Sequence, residues 1–298
     1  MKYKVTDENL VKFSDEIINA TEMLQLATLS LRTLYVAKSS SVNSFVKLRK
    51  EITNEAKIYS KKVLPVSNEL IRAVQHFCNL YDCFSFFEFK FYVNYFLREA
   101  KEDAEMCKLT LRLNKNILEE FKNRENEVIE VLGQLELKTE EYEQKKEQLL
   151  RSADVKHKWA IGLALVPGVN IIASPILYVK GNKNIKNSIA ESEEGILTVA
   201  AADTIRGPLI TSLTSLVSTF DFISKFFIAL IDELNELATI NDDYSKEVHY
   251  NRMKIKGPII VNACRTYISN IPDAVTNLRS IPDDYDKNYV QKWLSEKS

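Results

Sequence analysis

The sequence predicts an all-α protein: an elongated antiparallel bundle of about five long helices with an apolar hairpin head at one end. Two observations support this fold class. The chain of 298 residues holds only seven glycines and seven prolines, whereas folds rich in turns require many more of both. Apolar residues also recur at alternating steps of three and four over long stretches, which is the period of one buried helix face.

The first helix is predicted by an unbroken apolar series near the N-terminus, which the polar run Ser39–Ser41 ends. Its members are Leu10, Phe13, Ile17, Ala20, Leu24, Ala27, Leu31 and Leu34. A second helix is predicted over 43–64, and Pro65 marks its end or a kink, because proline lacks the N–H that a helix interior requires. Its apolar face consists of Phe45, Leu48, Ile52, Ala56 and Tyr59.

The longest series runs from Leu97 to Leu149 and is apolar except at Asn114, Glu125, Thr139 and Lys146. A helix of this extent would be about 80 Å long at ~1.5 Å per residue, so the molecule should be elongated.

A further long series follows Gly207 and Pro208, which suit a first turn or a kink. Its members are Leu209, Leu213, Leu216, Phe220, Ile223, Phe227, Leu230, Leu234 and Leu237. After the polar break 241–243, one helix is predicted through 253–268 and a short one near 289–294. The residues expected in the shared core are Leu111, Leu118, Phe121, Leu132, Leu216, Phe220, Phe227 and Leu234.

One segment differs from all these helices, because Trp159 to Val179 contains no charged residue. An uncharged run with aromatic residues near its ends and cationic flanks is typical of a membrane-interacting segment. The residues expected to insert are Trp159, Ile161, Leu163, Leu165, Val166, Pro167, Gly168, Val169, Ile171, Ile172, Pro175, Ile176, Leu177, Tyr178 and Val179. The flanking basic residues are Lys156, Lys158, Lys180 and Lys183.

Pro167 and Gly168 lie in the middle of this run, so a hairpin with its tip there is favoured over one straight helix. Two membrane-crossing helices would need about 40 apolar residues, which leaves shallow insertion, a β-hairpin, or recruitment of the flanking stretch 185–202. The structural alternative is a hairpin that covers the end of the bundle. The predicted organisation is tail helices over 1–150, a head over 151–189 and tail helices over 190–298.

Composition and motifs disfavour several other functions. Forty basic against forty-one acidic residues leave a net charge of −1, which provides no basic field for nucleic acid. The sequence contains no phosphate loop, dinucleotide fingerprint, nucleophile elbow or paired metal motif, so neither an enzyme nor a cofactor is predicted. His249 has no sequence neighbour that suggests a catalytic triad.

Two local patterns favour structural interpretations. The aromatic stretch 84–96 is interpreted as a thick core, with a partner-binding surface as the alternative, because aromatic rings dominate buried packing. Asp221 and Lys225, four residues apart on one helix, are predicted to form a solvent-facing ion pair.

The layout of long antiparallel helices with the uncharged run 159–179 between two of them resembles the α-helical pore-forming toxins related to cytolysin A. It is most similar to the xenorhabdolysin-type binary toxins and to components of haemolysin BL and the non-haemolytic enterotoxin. The resemblance implies a soluble monomer whose hairpin inserts into a target-cell membrane and which oligomerises, alone or with a second toxin subunit.

The N-terminal stretch 1–10 carries Lys2, Lys4, Asp7 and Glu8 and develops no apolar core of a signal peptide. The resemblance to secreted toxins implies export, and these residues indicate that it occurs without a cleavable signal peptide. The alternative function is a non-toxic coiled-coil protein that binds a partner or anchors it to a membrane.

Overall fold

The computed structural model describes residues 5–36, 43–137 and 204–296. Across these ranges the chain is helical and contains no strand. The helices are α1 (Asp7–Val36), α2 (Asn43–Ile58), α3 (Leu64–Cys83), α4 (Phe86–Leu137), α5 (Ile210–Thr239), α6 (Asp243–Arg279) and α7 (Lys287–Glu296). Five-residue π-helical segments, Tyr59–Val63 and Ile205–Leu209, join α2 to α3 and precede α5. The predicted all-α bundle is confirmed.

Side-chain contacts show that α3 and α4 run antiparallel, and that α5 and α6 meet across a tight turn. Asn114 Nδ2 on α4 donates to Ser67 Oγ on α3 at 3.2 Å. At the other end of the same pair, the rings of Phe77 and Phe96 are 6.3 Å apart. The residue numbers therefore rise on one helix as they fall on the other. On α5 and α6, Glu233 accepts hydrogen bonds from both His249 and Arg252 across the connecting turn.

The first and last long helices are parallel. Arg252 Nη1 donates to the Val5 carbonyl at 2.6 Å, and Ser14 Oγ lies 3.4 Å from the Ile259 carbonyl. Further along, Arg32 donates to Asn277 at 3.2 Å. This direction follows from alternation. Since α2 and α3 form one continuous member, α1 and α6 are the first and fifth members of an up-and-down series and point the same way.

Around the bundle the helices are neighbours in the order α1, α6, α3, α4, α5 and again α1. We call the end at which α4 ends and α5 begins the head end. The opposite end, which holds the α3–α4 and α5–α6 turns, is called the base. Asp242 caps α6 at the base, where its carboxylate accepts hydrogen bonds from the Tyr244 and Ser245 backbone amides.

The predicted core faces are confirmed for most of the side chains that are described. In α1 the series from Leu10 to Leu31 is buried, as is the α5 series from Leu209 to Leu237. The members of the expected shared core that are buried are Leu118, Phe121, Leu216, Phe220, Phe227 and Leu234. Leu111 is only half-buried, and the side chain of Leu132 lies outside the described residues.

Pro65 does not end the second helix, contrary to one of the two outcomes predicted for it. The chain continues from α2 into α3 through the π-helical segment Tyr59–Val63, with Pro65 in the first turn of α3. The helix changes its hydrogen-bond register just before this proline, since the Leu64 N–H donates to the Tyr59 carbonyl five residues earlier. Pro208 likewise lies inside a π-helical segment, which accommodates a lost backbone hydrogen bond.

Candidate functional site

The residues predicted to insert into a membrane, and their flanking lysines, lie outside the described residues. The structure does describe the two helices that bracket them. The ring of Phe77 contacts Phe96 on α4 and Phe227 on α5, at 6.3 and 5.7 Å. Because Phe96 and Phe227 contact the same ring, these parts of the antiparallel helices α4 and α5 lie at the same height along the bundle axis. The chain therefore leaves α4 at the head end and enters α5 at the same end.

The beginning of α5 is firmly embedded in the bundle. Ile205 and Leu209 are fully buried, and Ser212 Oγ donates to the Leu209 carbonyl at 2.9 Å. Within the described residues, Gly207–Thr239 is the one helix long and apolar enough to cross a membrane, with a mean hydropathy of 1.5, and half of its most apolar window is buried. Its apolar side chains pack against α1, α3 and α4, so the core of the bundle explains its composition.

An ion cluster with one fully buried member joins α2 to α4 toward the head end. Arg124 lies 3.2 Å from Glu51, 3.1 Å from Glu55 and 2.5 Å from Glu127. The side chain of Glu55 is fully buried, and its second carboxylate oxygen has no hydrogen-bond partner. Burial raises the pKa of Glu55 to about 7 despite the opposing charge of Arg124. This carboxyl group therefore titrates near neutral pH.

The C-terminal segment packs across α2 beside this cluster. Lys57 Nζ donates to the Ile281 carbonyl at 2.8 Å and pairs with Asp283 at 2.9 Å. The hydrogen bond and charge of Lys57 lower the pKa of Asp283. On α7, Val290 and Trp293 are buried. Polar contacts with α2 and a small apolar face on α7 together hold this segment.

At the base, His249 lies at the centre of a buried polar network that the sequence did not predict. Its Nε2 is 2.8 Å from the Tyr81 hydroxyl, and its Nδ1 is 2.9 Å from Glu233. Arg252 donates to the same Glu233 oxygen at 3.2 Å. Burial raises the pKa of Tyr81 well above its usual value, so this hydroxyl stays protonated. The network ties α3, α5 and α6 together, and its geometry fits a structural role.

The aromatic stretch at the start of α4 is divided between core and surface. Phe89 and Phe96 are fully buried, whereas Phe87, Phe91 and Tyr92 are 66%, 69% and 52% exposed. The prediction of a thick core is therefore wrong for these three side chains. Tyr92 has non-helical backbone angles, φ −105° and ψ 15°, which mark a kink. These rings lie at the base, far from the end where the chain leaves α4.

The described part of the chain offers no cluster of metal-ligating side chains, and its four cysteines are free thiols. Three of these cysteines are buried and Cys83 is exposed. The predicted ion pair on α5 is confirmed, with Lys225 Nζ and Asp221 2.5 Å apart and both side chains partly exposed.

Comparisons with known proteins find similarity in structure alone. No protein-family model matches the chain, and no curated protein matches it. The chain is similar to the pre-pore AhlB of the tripartite alpha-pore forming toxin AHL from Aeromonas hydrophila, with a TM-score of 0.34, 11% identity and coverage of 98% of this chain and 95% of that one. The AhlB pore of the same toxin gives a TM-score of 0.34 and 14% identity, over 97% and 93% of the two chains.

Proposed function

We propose that this protein is a component of a membrane-active, pore-forming toxin. In this proposal the tail helices keep a monomer soluble until it meets a target membrane. The uncharged hairpin 159–179 then inserts into the bilayer, and several copies assemble there, alone or with a second subunit. The protein acts through insertion and assembly, and catalysis has no part in this function.

The observation that carries the proposal is the uncharged run itself, bounded by Lys156, Lys158, Lys180 and Lys183. Transfer of such a run into hydrocarbon is favourable, while flanking lysines remain at the headgroup level. A soluble protein rarely exposes an apolar surface of this size. Membrane insertion accounts for an uncharged run of this length. The packing of the tail helices does not require such a run.

The geometry of the described helices supports the same proposal. Both α4 and α5 bracket the run at the head end, so a hairpin would extend from one end of a rod. The apolar series of α1 and α5 are buried in the core of that rod, which the described helices build together. A segment attached in this way could change its environment without unfolding the bundle.

The proposal is tested by release of a trapped dye from vesicles of phosphatidylcholine and phosphatidylglycerol. Leu165→Asp and Ile172→Asp should each abolish release, because a carboxylate near the bilayer centre costs ~2.5 to 3.5 kcal/mol on insertion scales. The matched control is Thr276→Asp, which places the same charge on an exposed position of α6. That variant should release dye as wild type does.

Circular dichroism of each variant establishes that the bundle remains folded. Release at the wild-type rate by both hairpin variants would reject the hairpin as the inserting element. Binding of wild-type protein to the vesicles without any release would instead favour the membrane-anchoring alternative.

A further inference from the structure

The second half of α2 is covered on more than one side. Every residue from Ile52 to Ile58 is buried, whereas a helix that packs on one side buries a single face. The polar members of this buried stretch are Thr53, Asn54, Glu55 and Lys57. Polar side chains rarely lie in a buried position without a specific partner, so the elements that cover α2 are informative.

The C-terminal helix supplies part of this cover. The principal neighbour of α7 is α2. Asn54 accepts a hydrogen bond at 2.8 Å from the backbone amide of Asp286, just before α7 begins. The buried side chains of α7 are Val290 and Trp293. These contacts make α2 and α7 a helix pair, which we call the flap.

Two connections between the flap and the rest of the bundle meet at one place. The π-helical segment Tyr59–Val63 leads from α2 into α3, and the non-helical stretch 280–286 leads from α6 into α7. Lys61 on the first donates to the Tyr285 hydroxyl on the second at 2.6 Å. Neither connection has regular α-helical hydrogen bonding, so both can bend there. We call these two connections the paired hinge.

Arg124 on α4 contacts both helices of the flap. Its guanidinium pairs with Glu51 at 3.2 Å and with Glu55 at 3.1 Å, both on α2. It also donates a hydrogen bond to the Tyr289 hydroxyl on α7. One side chain therefore holds the two helices against α4.

The composition of this joint suits a contact that opens. Its charged groups regain hydration when they are exposed to water. The second carboxylate oxygen of Glu55 has no hydrogen-bond partner in the closed position and gains one from water on opening. The apolar surface at stake is small, since the buried apolar side chains described for α2 are Ile52, Ala56 and Ile58.

We propose that the flap is an autoinhibitory device, which opens about the paired hinge before residues 159–179 insert. In the closed position it holds α4, the helix whose chain continues toward this run. Opening separates Arg124 from both flap helices and frees the head half of α4, while α2 and α7 stay packed on each other. The inference rests on the proposed function for its consequence, which is insertion.

A purely stabilising role for Arg124 is the alternative. Such a role predicts that its loss weakens every helix of the bundle alike. A flap predicts a local effect instead, because a unit that opens about a hinge exposes its own amides and leaves the other helices protected.

Hydrogen exchange measured for each helix distinguishes these two roles. We expect Arg124→Gln to speed exchange in α2 and α7 by about tenfold or more and to leave α3, α5 and α6 at the wild-type rate. The matched control is Arg112→Gln, which removes an exposed arginine from the same helix and should change no rate. Equal acceleration in all helices, or none in α2 and α7, would overturn the proposal.

Covalent closure tests whether the flap must open. Glu51→Cys and Glu127→Cys are combined with Cys83→Ser, which removes the exposed native thiol. Both native carboxylates lie beside Arg124 Nη1, at 3.2 and 2.5 Å, so a short bis-maleimide can bridge α2 to α4. Dye release from vesicles of phosphatidylcholine and phosphatidylglycerol is then measured with and without the reagent.

We expect the bridged chain to release dye about tenfold or more slowly than the same chain without reagent. Each single-cysteine chain, treated with the same reagent, should release dye at its untreated rate. Undiminished release by a chain verified as bridged would reject the flap and retain the pore. Absence of release from wild-type protein, with joint exchange of α2 and α7 in Arg124→Gln, would reject the proposed function and retain the hinged flap.

Discussion

Truncation of Phe227 tests whether the bundle core holds as described. Its side chain is 1% exposed and contacts the rings of Phe77 and Phe226 edge to face, each at 5.7 Å. Phe227→Ala removes this buried ring and leaves a cavity, at a cost of ~3 to 5 kcal/mol in such sites. The ring contacts account for ~0.5 to 1.5 kcal/mol per pair beyond the buried area. The higher helix propensity of alanine offsets less than about 1 kcal/mol of this loss of stability.

The adjacent residue provides a matched control. Ile228 is 50% exposed on the same helix, so Ile228→Ala loses roughly half of the burial energy of such a side chain, about 1 kcal/mol. Urea unfolding followed by far-ultraviolet circular dichroism measures both changes as shifts in the midpoint at constant slope. A loss below about 1 kcal/mol for Phe227→Ala, or equal losses for the two variants, would refute the described core.

Three further variants test polar contacts. Burial raises the folded-state pKa of Glu55 from 4.5 to about 7. Protonation of this group therefore stabilises the folded state by up to about 3 kcal/mol, fully so below pH 4.5, and this stabilisation is lost as the pH rises through 7. Glu55→Gln should therefore flatten the fall in stability between pH 4.5 and 8 in urea titrations, and an unchanged slope would contradict the buried carboxyl group. Tyr81→Phe leaves His249 Nε2 without its 2.8 Å partner and should cost ~1 to 3 kcal/mol in thermal unfolding; no loss would show that the network is open to water. Lys225→Ala breaks an exposed pair and should change stability by less than about 0.5 kcal/mol, so a larger loss would place that pair in the core.

The sequence predicted the helices and their buried faces because both depend on local periodicity. In α5 every member of the predicted series is buried, and in α4 even Asn114, a polar exception, is buried with its amide bonded to Ser67 and to the Thr110 carbonyl. Pro65 was ambiguous, since a helix can either end at a proline or adjust its hydrogen bonding, as the π-helical segment does here.

The polar clusters could not be predicted from local patterns. Tyr81 and His249 are 168 residues apart in the sequence, and Glu55 and Arg124 are 69 apart. Their meeting depends on the register between helices, which a single sequence does not contain.

The aromatic stretch contained more information than its composition suggested. Phe89 and Phe96 are seven residues apart and lie on the buried face of α4, whereas Phe87 and Phe91 are four apart on the opposite face. Helical spacing assigns the two pairs to opposite faces of α4, one buried and one exposed. A count of aromatic residues does not distinguish them. The kink at Tyr92 adds a change of direction that spacing does not show.

Tryptophan fluorescence tests the central claim, insertion of 159–179, most directly. The chain has two tryptophans, so Trp293→Phe leaves Trp159 as the single reporter, and Trp159→Phe leaves Trp293 on α7 as the control. The proposed insertion predicts that vesicles shift Trp159 emission to the blue and that lipids brominated on their acyl chains quench it, while Trp293 emission is unaffected. Membrane-bound, dye-releasing protein whose Trp159 emission is neither shifted nor quenched would contradict insertion of this segment.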